Sequence, residues 1–393
     1  MRTVSLTQVA GGLLLLATSR AQAATLQPRD TKISFSTEVF GTAGEPAIYT
    51  PPPSGRCPPF NRGAFAIDAY QLYPENMDWD SKLCQVYIGI LFNASFGIYD
   101  PYADALSVIE FPGYTRNSAF HVGGVAVDPY SGHASVILGQ GNAFNTAGAQ
   151  IGGDNFFKKF DPRTRKFLWS LNATAVSQGR YGGFNDVTHD VHGNSFFVGT
   201  FPSSILKVGP TGAAIEEWYL PATIDHTIRG YSGIALVGNT IVVLDSGTGQ
   251  LFRFDATAAK GTPIPVPHTP NTPIPGGDSI RLPPKFGGRI MLVADHVRGV
   301  AVLRSKDASW TEAEYLGLIP NPPGLPAGVL IVSTTQIGDK LYIVNDWFAD
   351  PWVPGTVAGN KTTFPMIEIT NQVNALLCNR PKKKRSAELA WSG

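Results

Sequence analysis

The amino-acid sequence predicts an all-β protein, a six-bladed β-propeller, and three observations predict it. Similar segments recur along the chain at intervals near 50 residues, a length that suits four short strands with their turns. Forty-two glycines and 31 prolines accompany a hydrophobic fraction of 43%, which is the balance of a turn-rich globular protein. No stretch of useful length places apolar residues at the helical period of 3.6, so few helices are expected beyond the N-terminal leader.

The clearest unit begins at Asn185, NDVTHDVHGNSFFVGTFPSSILKVGPTG. It reads as a strand, a turn at His192 to Asn194, an alternating strand, a short loop and a third strand. Comparable units start at Pro74 (PENMDWDSKLCQVYIGILFNASFGIYDP), His121, Tyr231, Gly276 and Ser333, which makes six. Aligning their turns and strands puts Glu75, Gly123, Asn185, Ser232, Asp278 and Val332 in one column, at intervals of 48, 62, 47, 46 and 54 residues. The longest interval comes from an insertion at Gly139 to Asn155. A single unit buries only one side of a small sheet, so the six are expected to pack face to face around an axis. The Pro-rich stretches Pro263 to Pro275 and Pro320 to Pro326 fall between units and read as rigid connectors.

Outside the repeats the chain has two distinctive ends. Residues 1–23 read as a cleaved signal peptide, with Arg2, an apolar run from Val9 to Thr18 and a small-residue site at Ala21 to Ala23. The run is too short to span a bilayer, and no later segment reaches that length, so no stable membrane insertion is expected. Residues 24–378 form the single propeller, and residues 379–393 form a basic tail that reads as solvated. The formal charge is +1, and the leader's Arg2 and Arg20 with five basic tail residues against Glu388 leave the folded body near −5. That body does not suit nucleic acid. The expected address is the secretory pathway, vesicular or secreted. Sequons at Asn93, Asn172 and Asn360 fit that address, as does a disulfide among Cys57, Cys84 and Cys378. Pairing Cys378 with either early cysteine would staple the chain ends together. Homodimerisation is left open.

In an antiparallel meander, the segment entering each first strand shares a face with the loops joining second to third strands. One ring on that face is the column itself, flanked by Asn76, Asp186 and Ser279. A second ring ends the second strands at Thr200, Asp245, Asp295 and Asn345, followed by His296, Asp346 and Trp347. Long loops at Gly139 to Asn155 and Trp347 to Thr363 are placed to lie over the axis as a lid. The second brings Trp347, Phe348 and Trp352. Asp and Asn at strand ends also commonly bond their own backbone, and aromatic residues also seal channels. Glu75, Asn185 and Asp278 are harder to assign to such structural work, because buried polar groups at a crowded axis need partners. His121, His189 and His192 show no metal-ligand spacing. His296 is the histidine nominated for the site.

Glu75, Asn185 and Asp278 resemble the calcium set of the gluconolactonase and senescence-marker type of propeller lactonases, with Ser232 where that family uses asparagine. Across most of the chain there is a closer resemblance, carried by PENMDWDSKLCQVYIGILFNASFGIYDP, GGVAVDPYSGHASVI, FNDVTHDVHGNSFFVGTFPSSILKV and VNDWFADPW. The sequence resembles a fungal group of six-bladed propellers found in secondary-metabolite gene clusters. The group includes the trichothecene-cluster propeller protein and the hetero-Diels-Alderases of tropolone sesquiterpenoid pathways. The resemblance implies a pericyclase that joins a reactive, polyketide-derived o-quinone methide to a humulene-type terpene alkene.

A cycloaddition asks for no nucleophile and no cofactor, and the chain carries no GxSxG elbow, HExxH, CxxC pair or dinucleotide glycine loop. It does ask for an apolar cup that holds two partners in attack geometry. A hydrogen-bond donor at the heterodiene oxygen also helps, because negative charge grows there. Tyr231, Trp347, Phe348 and Trp352 are the expected cup, with Glu75, Asn76, Asn185 and Asp278 beside them. His296 or Arg298 is the expected donor, and Asp245, Asp295 or Asp346 would serve as acid or base if a precursor alcohol must first lose water. No cofactor or metal is assigned. The alternatives are a calcium-dependent, lactonase-like hydrolase and a secreted binding or virulence protein without turnover.

Overall fold

The computed structural model describes residues 57–322, 325 and 328–378, together with the backbone of a strand at Lys32–Thr37. The predicted leader and basic tail lie outside the described residues. Six sheets follow one another in chain order, each antiparallel apart from one added parallel strand at the outer edge of the first and of the fifth. Their first strands are Pro74–Asp80, Phe120–Val127, Gly182–His189, Tyr231–Val237, Gly277–Arg281 and Leu330–Ile337, numbered here as blades I to VI. The six-bladed expectation holds, and helix is confined to short segments, chiefly Thr370–Cys378 at the end of the last blade.

Ring closure is made by strands. The outermost strand of blade VI is Phe65–Asp68, which precedes blade I in the chain and pairs antiparallel with Thr363–Glu368. Early and late residues therefore share one sheet, and hydrogen bonds do the work that a terminal disulfide was expected to do. The disulfide instead joins Cys57 to Cys84 and ties the segment entering blade VI to the first turn of blade I. Cys378 is a free, exposed thiol at the end of the last helix, which corrects the pairing of Cys378 with an early cysteine. The Pro263 to Pro275 stretch also does more than connect. Ile264–Val266 is the edge strand of blade IV, and His268–Thr269 adds a short parallel strand to blade V. Proline is tolerated there because an edge strand leaves one side of its backbone unpaired.

The core is divided in the way a ring of sheets demands. Six large hydrophobic clusters each lie between two neighbouring blades, from Met77, Val332 and Phe364 between VI and I round to Leu292, Ile343 and Val373 between V and VI. Each blade is thus apolar on both faces, and burial of one such side chain contributes about 1.5–3 kcal/mol. Towards the axis the inner strands crowd together. A Cβ on Gly124 would lie 2.4 Å from the Asn185 carbonyl oxygen, and one on Gly233 would lie 2.6 Å from the Ile280 nitrogen. Glycine at these positions lets adjacent blades meet at the axis.

Every inner strand also carries one irregularity in its pairing with the second strand. The shifts fall at Glu75, Gly123, Asn185, Ser232, Asp278 and Val332. A bulge twists the strand and re-aims the side chain it carries. The column aligned from the sequence is therefore a ring of bulges at one end of the axis. Among the described residues, no helix is long and apolar enough to cross a membrane.

Candidate functional site

Five of the six bulge residues, all but Val332, floor a cavity of about 340 Å³, within the usual range for a small-molecule site. Four floor residues carry polar side chains: Glu75, Asn185, Ser232 and Asp278. The apolar wall comes from loops between second and third strands and from neighbouring strand ends, and includes Phe92, Phe144, Phe184, Phe201, Leu330 and Phe348. The Gly139 to Asn155 insertion lies over this face. Its short helix Asn142–Asn145 contributes Phe144, which stands edge-on to Phe201 at 5.7 Å. Beneath the helix, Ala143 and Ile151 pack with Phe201 in a cluster of their own. The loop tip is pinned by His226, whose Nδ1 lies 2.6 Å from the Gly148 carbonyl oxygen.

Floor residues are bonded unequally. Asp278 is held from two sides: its Oδ1 accepts from Asn185 Nδ2 at 2.9 Å, and its Oδ2 lies 3.0 Å from His296 Nε2. A carboxylate only accepts, so Nε2 carries the hydrogen, and Nδ1 is left as the other hydrogen-bonding atom of the ring. Ser232 Oγ donates to the Gly277 carbonyl. Glu75 differs, because its Oε2 is buried without a hydrogen-bond partner. Burial first, and then the nearby Asp278, Asp346 and Asp186, push its carboxyl well above the usual carboxylate range. The acid form of Glu75 is thereby favoured, which makes it a hydrogen-bond donor facing the cavity.

Below the floor lies a more densely bonded layer. Asn76 Nδ2 donates to Asp186 Oδ1 at 3.1 Å, Arg281 reaches both Asn76 and Asp186, and Ser333 Oγ lies 3.3 Å from both Asn76 Oδ1 and Ser279 Oγ, with one hydrogen to donate. Burial holds the Asp186 carboxyl at about 6, against the opposing pull of Arg281. Asn76 belongs to this layer and does not line the cavity. Asp346 is also buried beneath the site; its Oδ1 caps the Trp347 amide, its Oδ2 has no partner, and burial raises its pKa.

Several residues selected from the sequence lie elsewhere. Trp347 is 4% exposed and packs against Phe364 in the cluster between blades VI and I, with Lys361 over its ring. Tyr231, 3% exposed, is enclosed by Tyr219, Phe252 and Phe254. Trp352 is 49% exposed and touches Phe92 edge-on outside the cavity lining. Only Phe348 of the four aromatic candidates lines the cavity. Asp245 Oδ1 accepts from the Gly247 and Thr248 amides, and Asp295 Oδ1 accepts from the Val297 and Arg298 amides. Both are turn caps. Arg298 is committed to Asp295 Oδ2 at 2.6 Å and is absent from the lining.

The structure adds lining residues that the sequence did not single out. His121 stands on the wall edge-on to Phe92 at 5.8 Å, and burial lowers its pKa to about 4, so it is neutral at physiological pH. Gly141 approaches this ring so closely that a Cβ there would lie 2.4 Å from Cε1. Arg229 enters from the loop between blades III and IV, Phe92 comes from a turn, Phe144 from the short helix of the insertion and Phe201 from the end of a second strand. A turn with no partner in the repeat alignment leaves no periodic signal from which to place it.

Among the described residues, no group of three or more His, Cys, Asp or Glu is arranged to share a metal ion. In the floor itself, Asn185 turns its amide nitrogen toward Asp278 and Ser232 donates to a carbonyl. The donor set fits a hydrogen-bonded floor better than a ring of oxygen ligands. Of the three sequons, Asn172 and Asn360 are exposed, while Asn93 is half-buried and donates from Nδ2 to the Gln71 carbonyl at 3.0 Å.

Comparison with known proteins bears on this site through the fold and the sequence. No family model matches the chain. The allergen Mala s 1 of Malassezia sympodialis superposes with a TM-score of 0.66 at 19% identity, covering 78% of this chain and 96% of that one. A luciferin-regenerating enzyme does so with a TM-score of 0.50 at 14% identity, covering 78% and 95%. At these identities the likeness is one of fold. Sequence relatives are closer. The chain is 33% identical over 338 residues to trichothecene biosynthesis protein 14 of Trichoderma arundinaceum, covering 82% of this chain and 92% of the relative. To core trichothecene cluster protein 14 of Fusarium sporotrichioides it is 30% identical over 352 residues, covering 85% and 92%. With identity at this level along most of both chains, the protein belongs to the fungal secondary-metabolite propeller family that contains these two trichothecene-cluster proteins.

Proposed function

We propose that the protein is a ring-forming enzyme of fungal secondary metabolism, a hetero-Diels-Alderase that joins an o-quinone methide to a terpene alkene. The observation that carries the reading is a phenylalanine-walled cavity set over a floor of buried acids with one bonded carboxylate–imidazole pair, Asp278 and His296. Family membership supports the metabolic setting.

The chemistry follows from what each part of the cavity does. Phenylalanines take up the hydrocarbon and the planar heterodiene, and holding the two together lowers the entropic part of the barrier. The new C–C and C–O bonds form together, so no proton leaves and no group is expelled in the ring closure. Negative charge grows on the heterodiene oxygen, and a hydrogen bond from the Glu75 carboxyl, or from His296 Nδ1 once the ring has taken up the precursor's proton, stabilises it. Forming the quinone methide from an alcohol precursor breaks a C–O bond and expels water. It needs a donor to the departing hydroxyl and an acceptor for the precursor's own hydroxyl proton, roles that Glu75 and the His296–Asp278 pair fill as acid and base.

The test is to incubate purified protein with a hydroxymethyl-tropolone precursor and humulene, and to resolve the adducts by chiral chromatography. The reading predicts faster adduct formation and a single stereoisomer. It is overturned by the same rate and isomer mixture with and without protein.

A further inference from the structure

We infer that Arg229 and Thr200 form a subsite for a negatively charged oxygen on an otherwise apolar ligand, a carboxylate or an enolate of a vinylogous acid. The inference deepens the proposed function by naming the substrate class of the same cavity, and it rests on that reading for the ligand's apolar part.

Arg229 is the one permanent cation among the described residues lining the cavity. It is held from behind: Nε donates to Ser246 Oγ at 2.8 Å, and Ser246 Oγ donates in turn to the Gly230 carbonyl at 3.1 Å. The adjoining backbone is equally constrained. A Cβ on Gly230 would lie 1.9 Å from Ser203 Oγ, so the segment is seated against the turn of blade III. Among the described residues no carboxylate pairs with the Arg229 guanidinium. A guanidinium anchored through Nε keeps its two terminal nitrogens for a planar, two-oxygen partner.

Thr200 provides a second and independent observation. It lines the same cavity, is 1% exposed, and its Oγ1 is buried without a hydrogen-bond partner. Leaving a buried hydroxyl unsatisfied is costly, and an oxygen ligand would relieve it. The two residues are joined through the backbone, since the Gly230 amide donates to the Thr200 carbonyl at 2.8 Å. Phe184 and Phe201 also line the cavity and supply apolar surface for the remainder of the ligand. The Asp278 carboxylate lies on the axial floor and opposes an anion there, so charge would orient the ligand with its acidic end at blades III and IV.

The probes are farnesoic acid and its uncharged methyl ester, titrated calorimetrically into the full chain, with melting curves to confirm that variants are folded. Native protein is expected to bind the acid about tenfold more tightly than the ester. Arg229→Gln removes that preference, Arg229→Lys keeps part of it, and Thr200→Val weakens the acid more than the ester. Equal binding of acid and ester by native protein, binding of neither, or a preference that survives Arg229→Gln overturns the assignment. Adduct formation is read separately. A preference that depends on Arg229 without any ring closure defeats the proposed function and leaves the subsite standing, whereas stereoselective ring closure without the preference does the reverse.

Discussion

Two polar clusters in this propeller are built from similar residues and differ in how completely they are bonded. Between blades II and III, Ser135 bonds His189 at 2.8 Å, and Lys159 bonds Ser195 at 3.2 Å and Asp128 at 3.4 Å. All five side chains are buried, and each has a partner within the group. Around the axial cavity, by contrast, Glu75 Oε2, Thr200 Oγ1 and Asp346 Oδ2 are buried without partners. Since a buried polar atom left alone costs about 1–3 kcal/mol, the first cluster serves the fold, and the second maintains an arrangement that a ligand can complete.

The largest predicted effect breaks the first cluster. Asp128→Asn strands the Lys159 ammonium in the interior and is expected to cost about 3–5 kcal/mol in denaturant unfolding. Replacing both partners, Asp128→Asn with Lys159→Met, should recover most of that loss. In the second cluster, His296→Ala should reduce adduct formation about a hundredfold while leaving the unfolding midpoint close to native. A large loss of stability in His296→Ala would erase the contrast between the clusters.

Acid titration sharpens the same comparison. Burial pushes the Asp128 carboxyl up, but His189, Ser131 and Lys159 outweigh it and hold the group at about 2. A folded value below the unfolded one of about 3.8 means that this stabilisation is complete above that pH and is lost as pH falls through about 2. Native protein should therefore lose stability over that window in denaturant melts, and Asp128→Asn should show a flatter profile. Smaller effects are expected at the wall. Phe348→Ala should weaken humulene binding about tenfold, and Trp352→Ala, outside the lining, should change it by no more than about twofold.

The sequence disclosed the blades and the axial column because both are periodic. Four strands recur at similar spacing, and each inner strand must bulge at the same depth to let six blades meet, so Glu75, Asn185 and Asp278 could be aligned without coordinates. Cavity walls have no such period. Trp347 directly follows an axial carboxylate, yet Asp346 caps its amide and Phe364 draws the indole into the core. Asp245 and Asp295 end their strands at the predicted depth, but their turns take up the side chains as caps. His121 and Arg229 were missed for the opposite reason. Each reaches the cavity through the path of one strand entry or one inter-blade loop, and nothing in the other blades repeats it. The closing strand Phe65–Asp68 was equally illegible, because its partner lies some 300 residues away in the chain.

Amide hydrogen exchange followed by mass spectrometry, with and without humulene, tests most directly whether the incompletely bonded cluster is the ligand site. The account predicts slower exchange on humulene binding in the peptides carrying Leu91 and Phe92, the Gly139 to Asn155 lid and Phe348, with unchanged exchange around Asp128, Lys159 and His189. Unaltered exchange in the lid, or protection centred on the cluster between blades II and III, would contradict it.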